Sequence, residues 1–266
     1  MKILGTGLSG LVGSRVVELN QKHQFIDLSL DTGYNILKPE NLDSVFKSFS
    51  GDTVIHFAAF TNTQAAWEQK GDKSALCYQL NVVGTQNIVN LCKKYQKYLI
   101  HISTDFVFDG TKEGIYTEDD LTSTIEWYGE TKALAEKVVT NSGINSAIVR
   151  LAFPYRAKFN TKVDIVRKIK AKIEAGDTLN LFDDQIITPT FIDDIANGLK
   201  IFFDNKPTGI YHLVGSSSQS PFALAQMVAE VFALDNSKIM PSKLIDYLKT
   251  TNARPFAKNS TLSNDN

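Results

Sequence analysis

The sequence has 266 residues and a net charge of -1 at pH 7, and 43% of its residues are hydrophobic. This length suits one large α/β domain or one domain with a small lobe, and the near-neutral charge gives no reason to expect nucleic acid or an anionic membrane as a partner. No apolar run approaches the roughly 18 residues of a membrane span. We therefore expect a soluble, cytoplasmic protein, and Cys77 and Cys92 lack metal-ligand spacing, so no metal site is predicted.

A glycine-rich turn follows the first predicted strand, which covers residues 2–6. Gly7, Gly10 and Gly13 are spaced three residues apart, and a helical pattern to about Lys22 comes next. Glycine permits a tight turn, a close approach of the backbone to a pyrophosphate and close helix–strand packing. The free N–H groups at the start of a helix favour phosphate. This arrangement predicts a dinucleotide site.

The second predicted strand, residues 25–30, is where such a site usually discriminates between cofactors. An acid at the strand end binds the ribose 2′-hydroxyl, whereas a 2′-phosphate needs room and usually a basic partner. Ser29 lies near this position, between Asp27 and Asp31, and no arginine is close in sequence. The choice between NAD and NADP therefore stays open.

Two further predicted strands lead to the same edge of the sheet. The strand at residues 53–59 ends in Ala58 and Ala59, which are small enough for a cofactor to lie against the backbone, and its His56 is interpreted as a core residue. A long helix is predicted from Asp72 to Tyr95, followed by a strand that carries Thr104 at its carboxyl end. Because ligands bind outside the carboxyl ends of parallel strands, Thr104 should lie near the glycine-rich turn.

Tyr128 and Lys132 are four residues apart on the next predicted helix, so they share one of its faces. A neighbouring ammonium favours a phenolate and should lower the pKa of the tyrosine from its usual value near 10. With the Thr104 hydroxyl polarising a carbonyl, this set predicts proton transfer to a carbonyl oxygen as a hydride reaches its carbon.

Alternating strands and helices predict an α/β fold with a doubly wound, mainly parallel Rossmann-type sheet and a small C-terminal lobe. We expect residues 1–152 to form the NAD(P)-binding domain and residues 153–266 to form mainly a substrate-binding lobe. Residues 184–204 are expected to pack back on the first domain.

These motifs together resemble the extended short-chain dehydrogenase/reductase family, and within it the dTDP-4-dehydrorhamnose reductase branch. The general features are the three glycines, the strand ending at Ala59, Asn81 with Gly84-Thr85, and the Tyr128–Lys132 pair. The narrower resemblance lies in four stretches: residues 103–110, 128–132, 184–190, and 254–262.

The resemblance implies roles for individual residues. Tyr128 would donate the proton, Lys132 would lower its pKa and bind the nicotinamide ribose, and Thr104 would hold the sugar carbonyl. Other positions are implied to contact the cofactor or the substrate. The cofactor set is Gly7, Gly10, Leu11, Val12, Gly13, Ser29, Asn35, Ile36, Ala58, Ala59, Phe60, Tyr128 and Lys132, and the substrate set is Thr104, Asp105 and Phe153. Phe153 stands where this branch commonly has tryptophan.

The function implied is reduction of the 4-keto group of a nucleotide-linked 6-deoxy sugar by NADPH or NADH, with dTDP-4-dehydrorhamnose as the expected substrate. One alternative is another sugar-nucleotide reductase or an epimerase of the same family. A second, from a different class, is a non-catalytic subunit resembling the regulatory subunit of methionine adenosyltransferase. Retention of Thr104, Tyr128 and Lys132 favours an enzyme, and a homodimer is left open.

Overall fold

A six-stranded parallel sheet forms the centre of the protein, which we describe for residues 1–265 from a computed structural model. Ten strands are present in this part of the chain: β1 Lys2–Thr6, β2 Gln24–Asp27, β3 Thr53–His56, β4 Tyr98–Thr104, β5 Ser146–Leu151, β6 Pro154–Tyr155, β7 Leu179–Phe182, β8 Thr190–Phe191, β9 Gly209–His212 and β10 Ile239–Ser242. The large sheet has the order β2-β1-β3-β4-β5-β9. The doubly wound α/β fold predicted from the sequence is therefore confirmed.

The helices cover both faces of this sheet and build the smaller C-terminal layer. They are α1 Gly13–Leu19, α2 Pro39–Ser48, α3 Thr63–Glu68, α4 Leu76–Tyr78, α5 Thr85–Lys94, α6 Trp127–Thr140, α7 Ile165–Glu174, α8 Ile192–Asn205, α9 Pro221–Val231 and α10 Leu244–Leu248. None of the helices in the described part of the chain has both the length and the apolar character of a membrane span.

Alternate residues of the central strands supply two separate cores, because successive side chains of a strand point to opposite faces of a sheet. Ile3 and Ile100 belong to the core beneath α1 and α8, whereas Leu4 and Leu99 belong to the core beneath α2 and α5. Burial on both faces explains why these strands are apolar without alternation.

The carboxyl ends of β1, β3 and β4 lie side by side. Thr6 pairs with His56 and His56 with His101, in parallel register, so the chain leaves all three strands at one edge. From this edge β1 is followed by the glycine-rich turn and β3 by residues 57–60. Sheet order reverses beside β1, which is where open α/β sheets bind ligands.

The second half of the chain divides between the large sheet and a smaller layer. Helix α8 packs on α1, and β9 pairs with β5 as the sixth strand of the large sheet. Strands β7 and β10 pair with each other, and with α7 and α9 they form a separate apolar core. The division at residue 152 stays a prediction.

The predicted helix from Asp72 to Tyr95 differs from the observed one. The helix begins only at Leu76, and residues 79–84 form a π-helical segment between α4 and α5. A π segment occurs mostly as a single turn within an α-helix, often at a functional site. Here it contains Asn81, whose contacts are described below.

Candidate active site

The glycine-rich turn packs directly against the chain that leaves β3. Gly7 has φ +67°, and a Cβ there would lie 2.7 Å from the backbone nitrogen of Ala58. A Cβ on Gly13 would lie 2.6 Å from the carbonyl oxygen of Gly7. Gly10 differs, because it is exposed and a Cβ there would meet only the Gly7 oxygen, at 3.1 Å. Gly7 and Gly13 are therefore needed for packing, whereas Gly10 leaves the outer surface of the turn open.

Leu11 and Val12 follow at the start of α1, where Val12 is the N-cap. Leu11 is buried and Val12 is half-buried, so this part of the turn is held by the core beneath α1 and α8. Their cofactor contacts stay a prediction.

Ser29 lies just beyond β2, and its hydroxyl donates to Oδ2 of Asp27 at 2.9 Å. Asp27 is the last residue of β2 and pairs with Gly5 of β1. Burial raises the pKa of Asp27, and the hydrogen bond from Ser29 opposes that rise. The predicted discriminating position is thus coupled to a carboxyl group, a contact that the sequence did not specify.

Asn35 and Ile36 lie in the loop before α2. The Asn35 side chain accepts from the N–H of Leu37 at 2.9 Å, and Ile36 is buried in the core beneath α2 and α5. The adenine contacts implied for them stay predictions.

Asn81, in the π-helical segment, fixes the loop that follows β3. Its Oδ1 accepts from the N–H of Phe60 at 2.7 Å, and its Nδ2 donates to the Phe60 carbonyl at 3.3 Å. The same nitrogen donates to Oγ1 of Thr131 on α6 at 2.9 Å. Asn81 therefore ties the Ala58–Phe60 stretch to the helix that carries Tyr128 and Lys132.

Thr104, Tyr128 and Lys132 meet at the carboxyl end of β4, and all three are at most 8% exposed. Gly129 allows this approach of α6, since a Cβ there would lie 2.1 Å from the Phe106 carbonyl oxygen. The Thr104 hydroxyl donates to Oδ1 of Asp105 at 3.1 Å, and hydrogen bonding to Thr104 favours the phenolate of Tyr128. The fold thus brings the Thr104 and Tyr128 hydroxyls together, and Lys132 lies one helical turn further along the same face of α6. The roles implied for them stay predictions.

The pKa of Tyr128 is shifted in the direction opposite to the one predicted. Burial raises it, and the carboxyl groups of Asp105 and Glu126 raise it further. The ammonium of Lys132 instead donates to the Ile102 carbonyl at 2.7 Å and lies 3.5 Å from Nε2 of His101. A spacing of four residues fixes the shared helix face but not the partner that the ammonium selects.

Lys132 is itself perturbed by its surroundings. Burial lowers its pKa from 10.5 to about 8, and the carboxylate of Glu136, one turn further along α6, opposes this shift. Behind it lie two neutral imidazoles, because burial lowers the pKa of His56 to about 3 and that of His101 well below its ordinary value. His56 contacts the hydroxyls of Thr6 at 2.6 Å and Thr85 at 3.1 Å, so its interpretation as a core residue holds.

Glu136 is held by a buried ion pair that was not predicted from the sequence. Arg150 on β5 donates to its two carboxylate oxygens at 3.0 and 2.7 Å, and the Ser103 hydroxyl donates to Oε1 at 2.5 Å. Arg150 is 1% exposed. This pair locks α6 onto β4 and β5, so the position of Lys132 depends on it.

A cavity of about 580 Å³ opens beside these residues, within the usual size range of small-molecule sites. Asp105, Phe106 and Phe153 are among its lining residues, and Phe106 is in edge-to-face contact with the Tyr128 ring. Burial raises the pKa of Asp105 to about 7, while hydrogen bonds from Ser260 and Thr104 oppose the rise. Phe153 has φ +39°, a conformation that is rare for a side chain of this size.

Most of the remaining cavity wall comes from the C-terminal layer and from the start of α6. Lys168, Lys172 and Arg254 give it basic character, and Glu126 lies among them. Arg254 belongs to a motif recognised in the sequence but was not predicted to be a site residue, and no sequence pattern singled out Glu126. Its position two residues before Tyr128 was the one available signal.

A family model described as RmlD substrate binding domain matches residues 1–266. The probable low-salt glycan biosynthesis reductase Agl14 of Haloferax volcanii is 29% identical, over 94% of this chain and 86% of its own. The dTDP-4-dehydrorhamnose reductase of Aggregatibacter actinomycetemcomitans is 28% identical, over 89% and 84%.

Methionine adenosyltransferase 2 subunit beta of Rattus norvegicus is also similar, at 26% identity over 90% of this chain and 75% of its own. Among solved structures, a dTDP-4-dehydrorhamnose reductase from Clostridium acetobutylicum superposes with a TM-score of 0.88 at 26% identity, covering 99% of this chain and 90% of that one. The match over the whole length settles the family, and the chain belongs to the RmlD substrate-binding-domain family of the extended short-chain dehydrogenases/reductases.

Proposed function

We propose that this protein is an NAD(P)H-dependent reductase that converts the 4-keto group of a nucleotide-linked 6-deoxy sugar into a hydroxyl. One observation carries the proposal: Thr104, Tyr128 and Lys132 converge at the carboxyl end of β4, beside the 580 Å³ cavity. A ketone reduction needs a proton donor close to the carbonyl oxygen, and a buried phenol beside a hydroxyl provides one. The reductase names of the similar proteins support the same reaction class.

The residues around the glycine-rich turn fit a dinucleotide. The exposed outer surface of the turn at Gly10, just before α1, would admit a pyrophosphate. The half-buried Ala58, Ala59 and Phe60 would line the middle of the cofactor. When bound, a nicotinamide supplies the hydride for the carbonyl carbon.

In the proposed reaction Thr104 donates a hydrogen bond to the sugar carbonyl, and Tyr128 transfers its hydroxyl proton to that oxygen. Lys132 stabilises the phenolate left behind and binds the nicotinamide ribose. The raised pKa of Tyr128 keeps the phenol protonated before transfer. Lys132, with a pKa of about 8, is mostly ammonium at neutral pH.

The cavity also suits a nucleoside diphosphate linked to a sugar. Lys168, Lys172 and Arg254 are matched to phosphate charge, and the aromatic rings of Phe106 and Phe153 provide an apolar surface for a sugar ring. Among such substrates we propose dTDP-4-dehydrorhamnose, on the strength of the similar reductase from Aggregatibacter actinomycetemcomitans. A non-catalytic role is the second candidate, because the similarity to methionine adenosyltransferase 2 subunit beta is nearly as high.

The test is hydride transfer from NADPH or NADH to a panel of dTDP-4-keto-6-deoxy sugars. The reaction is measured by the loss of absorbance of the reduced cofactor. Tyr128→Phe and Thr104→Val should each lower the turnover rate, the first by about 10²–10⁴-fold, while cofactor binding stays within twofold. Tyr211→Phe is the matched control, since that hydroxyl donates to the Thr208 carbonyl outside the cavity. A parent protein that binds cofactor but reduces no keto sugar would point to the non-catalytic role.

A further inference from the structure

Glu126 occupies a position that a helix cap alone does not explain. It is the N-cap of α6, and its Oε1 accepts from the N–H of Gly129 at 2.6 Å. A serine or aspartate would serve that purpose with a shorter side chain. Glu126 is only 4% exposed, and its second oxygen, Oε2, finds no hydrogen-bond donor among residues 1–265. Half of a buried carboxylate is therefore left for another partner.

Arg254, the neighbour of Glu126 in the cavity lining, shows the complementary deficiency. It is 8% exposed, and its Nη1 has no hydrogen-bond acceptor within the described chain. This nitrogen lies 3.7 Å from Oε2 of Glu126, too far for a good hydrogen bond, while the guanidinium rests on the ring of Phe256. The two groups attract each other without satisfying each other.

Such an arrangement is unfavourable in the free protein. Burying an ion pair is compensated only when the geometry is good and further hydrogen bonds satisfy the remaining lone pairs and protons. Consistent with this, burial raises the pKa of Glu126 and lowers that of Arg254. A ligand that brings a donor to Oε2 and an acceptor to Nη1 would relieve both deficiencies.

Both side chains line the 580 Å³ cavity, and Glu126 is close enough to Tyr128 to raise the pKa of its phenol. Asp105, which contacts Thr104, lines the same cavity, so a ligand group bound at Oε2 would lie in the cavity that holds the reacting carbonyl. In a 4-keto-6-deoxy sugar the C3 hydroxyl is adjacent to the C4 carbonyl and the C2 hydroxyl is one carbon further along the ring, and a hydroxyl is a hydrogen-bond donor.

We infer that Glu126 is a specificity-determining residue, which accepts a hydrogen bond from a sugar hydroxyl through Oε2 while Arg254 donates to an oxygen of the same substrate. The inference rests on the proposed function and adds to it the group that selects a hydroxylated sugar. Asp105 contacts Thr104 and serves the carbonyl end, so the two carboxyl groups have separate roles.

Glu126→Gln is the most informative variant. The N–H of Gly129 requires an oxygen acceptor, so the amide oxygen should keep the place of Oε1. The amide nitrogen, which cannot accept, would then take the place of Oε2. Glu130→Gln is the matched control, because Glu130 lies on the same helix but is exposed.

The measurement compares kcat/KM for the 4-keto-6-deoxy sugar nucleotide with those for its 2-deoxy and 3-deoxy analogues. In the parent and in Glu130→Gln, removing the hydroxyl that Glu126 binds should lower kcat/KM by about 10–100-fold, as expected for a hydrogen bond to a charged group. In Glu126→Gln the same removal should change kcat/KM by less than about threefold. Unchanged discrimination against both analogues in Glu126→Gln would reduce Glu126 to a helix cap and overturn the inference.

A second variant and a second readout keep the test decisive. Arg254→Gln should raise KM for the nucleotide sugar with little change in the affinity for NADPH, and an unaltered KM would contradict the paired role.

If the parent reduces no keto sugar, the proposed function fails, and calorimetry with dTDP-rhamnose still tests the inference. About tenfold weaker binding to Glu126→Gln than to the parent would support it. Equal binding, or no binding to the parent, would overturn it.

Discussion

Removing the positive charge of Lys132 should relieve an electrostatic penalty on the folded state while it abolishes activity. Burial lowers the pKa of this lysine from 10.5 to about 8, so the folded state resists its protonation. Each pKa unit corresponds to about 1.4 kcal/mol, and the full shift corresponds to about 3 kcal/mol of lost stability near neutral pH. Lys132→Met removes this penalty but also removes the donor to the Ile102 carbonyl, which costs about 1–3 kcal/mol. The pH dependence separates the two effects.

The penalty has a defined pH range. Below about pH 8 both the folded and the unfolded chain carry the proton on Lys132, and the full penalty applies. Between about pH 8 and 10.5 the folded chain has lost this proton and the unfolded chain has not. The free energy of unfolding of the parent therefore rises with pH in this range. The lost hydrogen bond to Ile102 contributes a nearly constant offset. The stability of Lys132→Met relative to the parent should therefore fall by about 2 kcal/mol between about pH 7 and pH 9.5.

Urea denaturation of both proteins without cofactor, at several values across that range, measures this difference. Lys137→Met is the control, because Lys137 is an exposed lysine of the same helix. Its free energy of unfolding should differ from that of the parent by an amount that does not change with pH. A pH-independent difference for Lys132→Met would refute the argument that burial opposes the ammonium.

Three further substitutions test the cofactor loop, the cofactor choice and the support of α6. Gly13→Ala puts a Cβ 2.6 Å from the Gly7 carbonyl oxygen, so the turn must shift, and calorimetry should show NADPH binding at least about tenfold weaker. Ser29→Asp adds negative charge at the predicted 2′-phosphate position, and fluorescence titration should show weaker binding of NADPH but not of NADH. Glu136→Gln leaves the buried Arg150 without its full counter-charge, so urea denaturation should show a loss of about 3–5 kcal/mol.

The parallel sheet was predictable because its determinants are local. Apolar runs bounded by turn residues identify β1, β3, β4 and β5, and glycines spaced three residues apart identify the turn after β1. The rule that ligands bind at the carboxyl ends of strands then brought Thr104 to the right edge. Proximity of Tyr128 and Lys132 followed from helix geometry alone.

The C-terminal layer was largely unpredictable because its contacts are short or distant in sequence. Strands β6 and β8 have two residues each, too few for any periodicity, and β7 pairs with β10 across two helices. The 3.7 Å approach of Glu126 to Arg254 likewise depends on how the chain returns to the cavity. No local pattern encodes such a contact.

The direction of the pKa shift at Tyr128 could not be predicted from the sequence either, because it depends on burial rather than on the spacing of Tyr128 and Lys132. A raised pKa suits the proposed reduction, since the phenol stays protonated until the carbonyl oxygen needs its proton. The same burial makes the phenolate unfavourable once the proton has left. The ammonium of Lys132, one helical turn away and anchored to the Ile102 carbonyl, can offset that charge only if it is kept protonated inside the protein. In the proposed reaction, the stability lost by burying Lys132 is the cost of keeping a positive charge one helical turn from the phenol that gives up its proton.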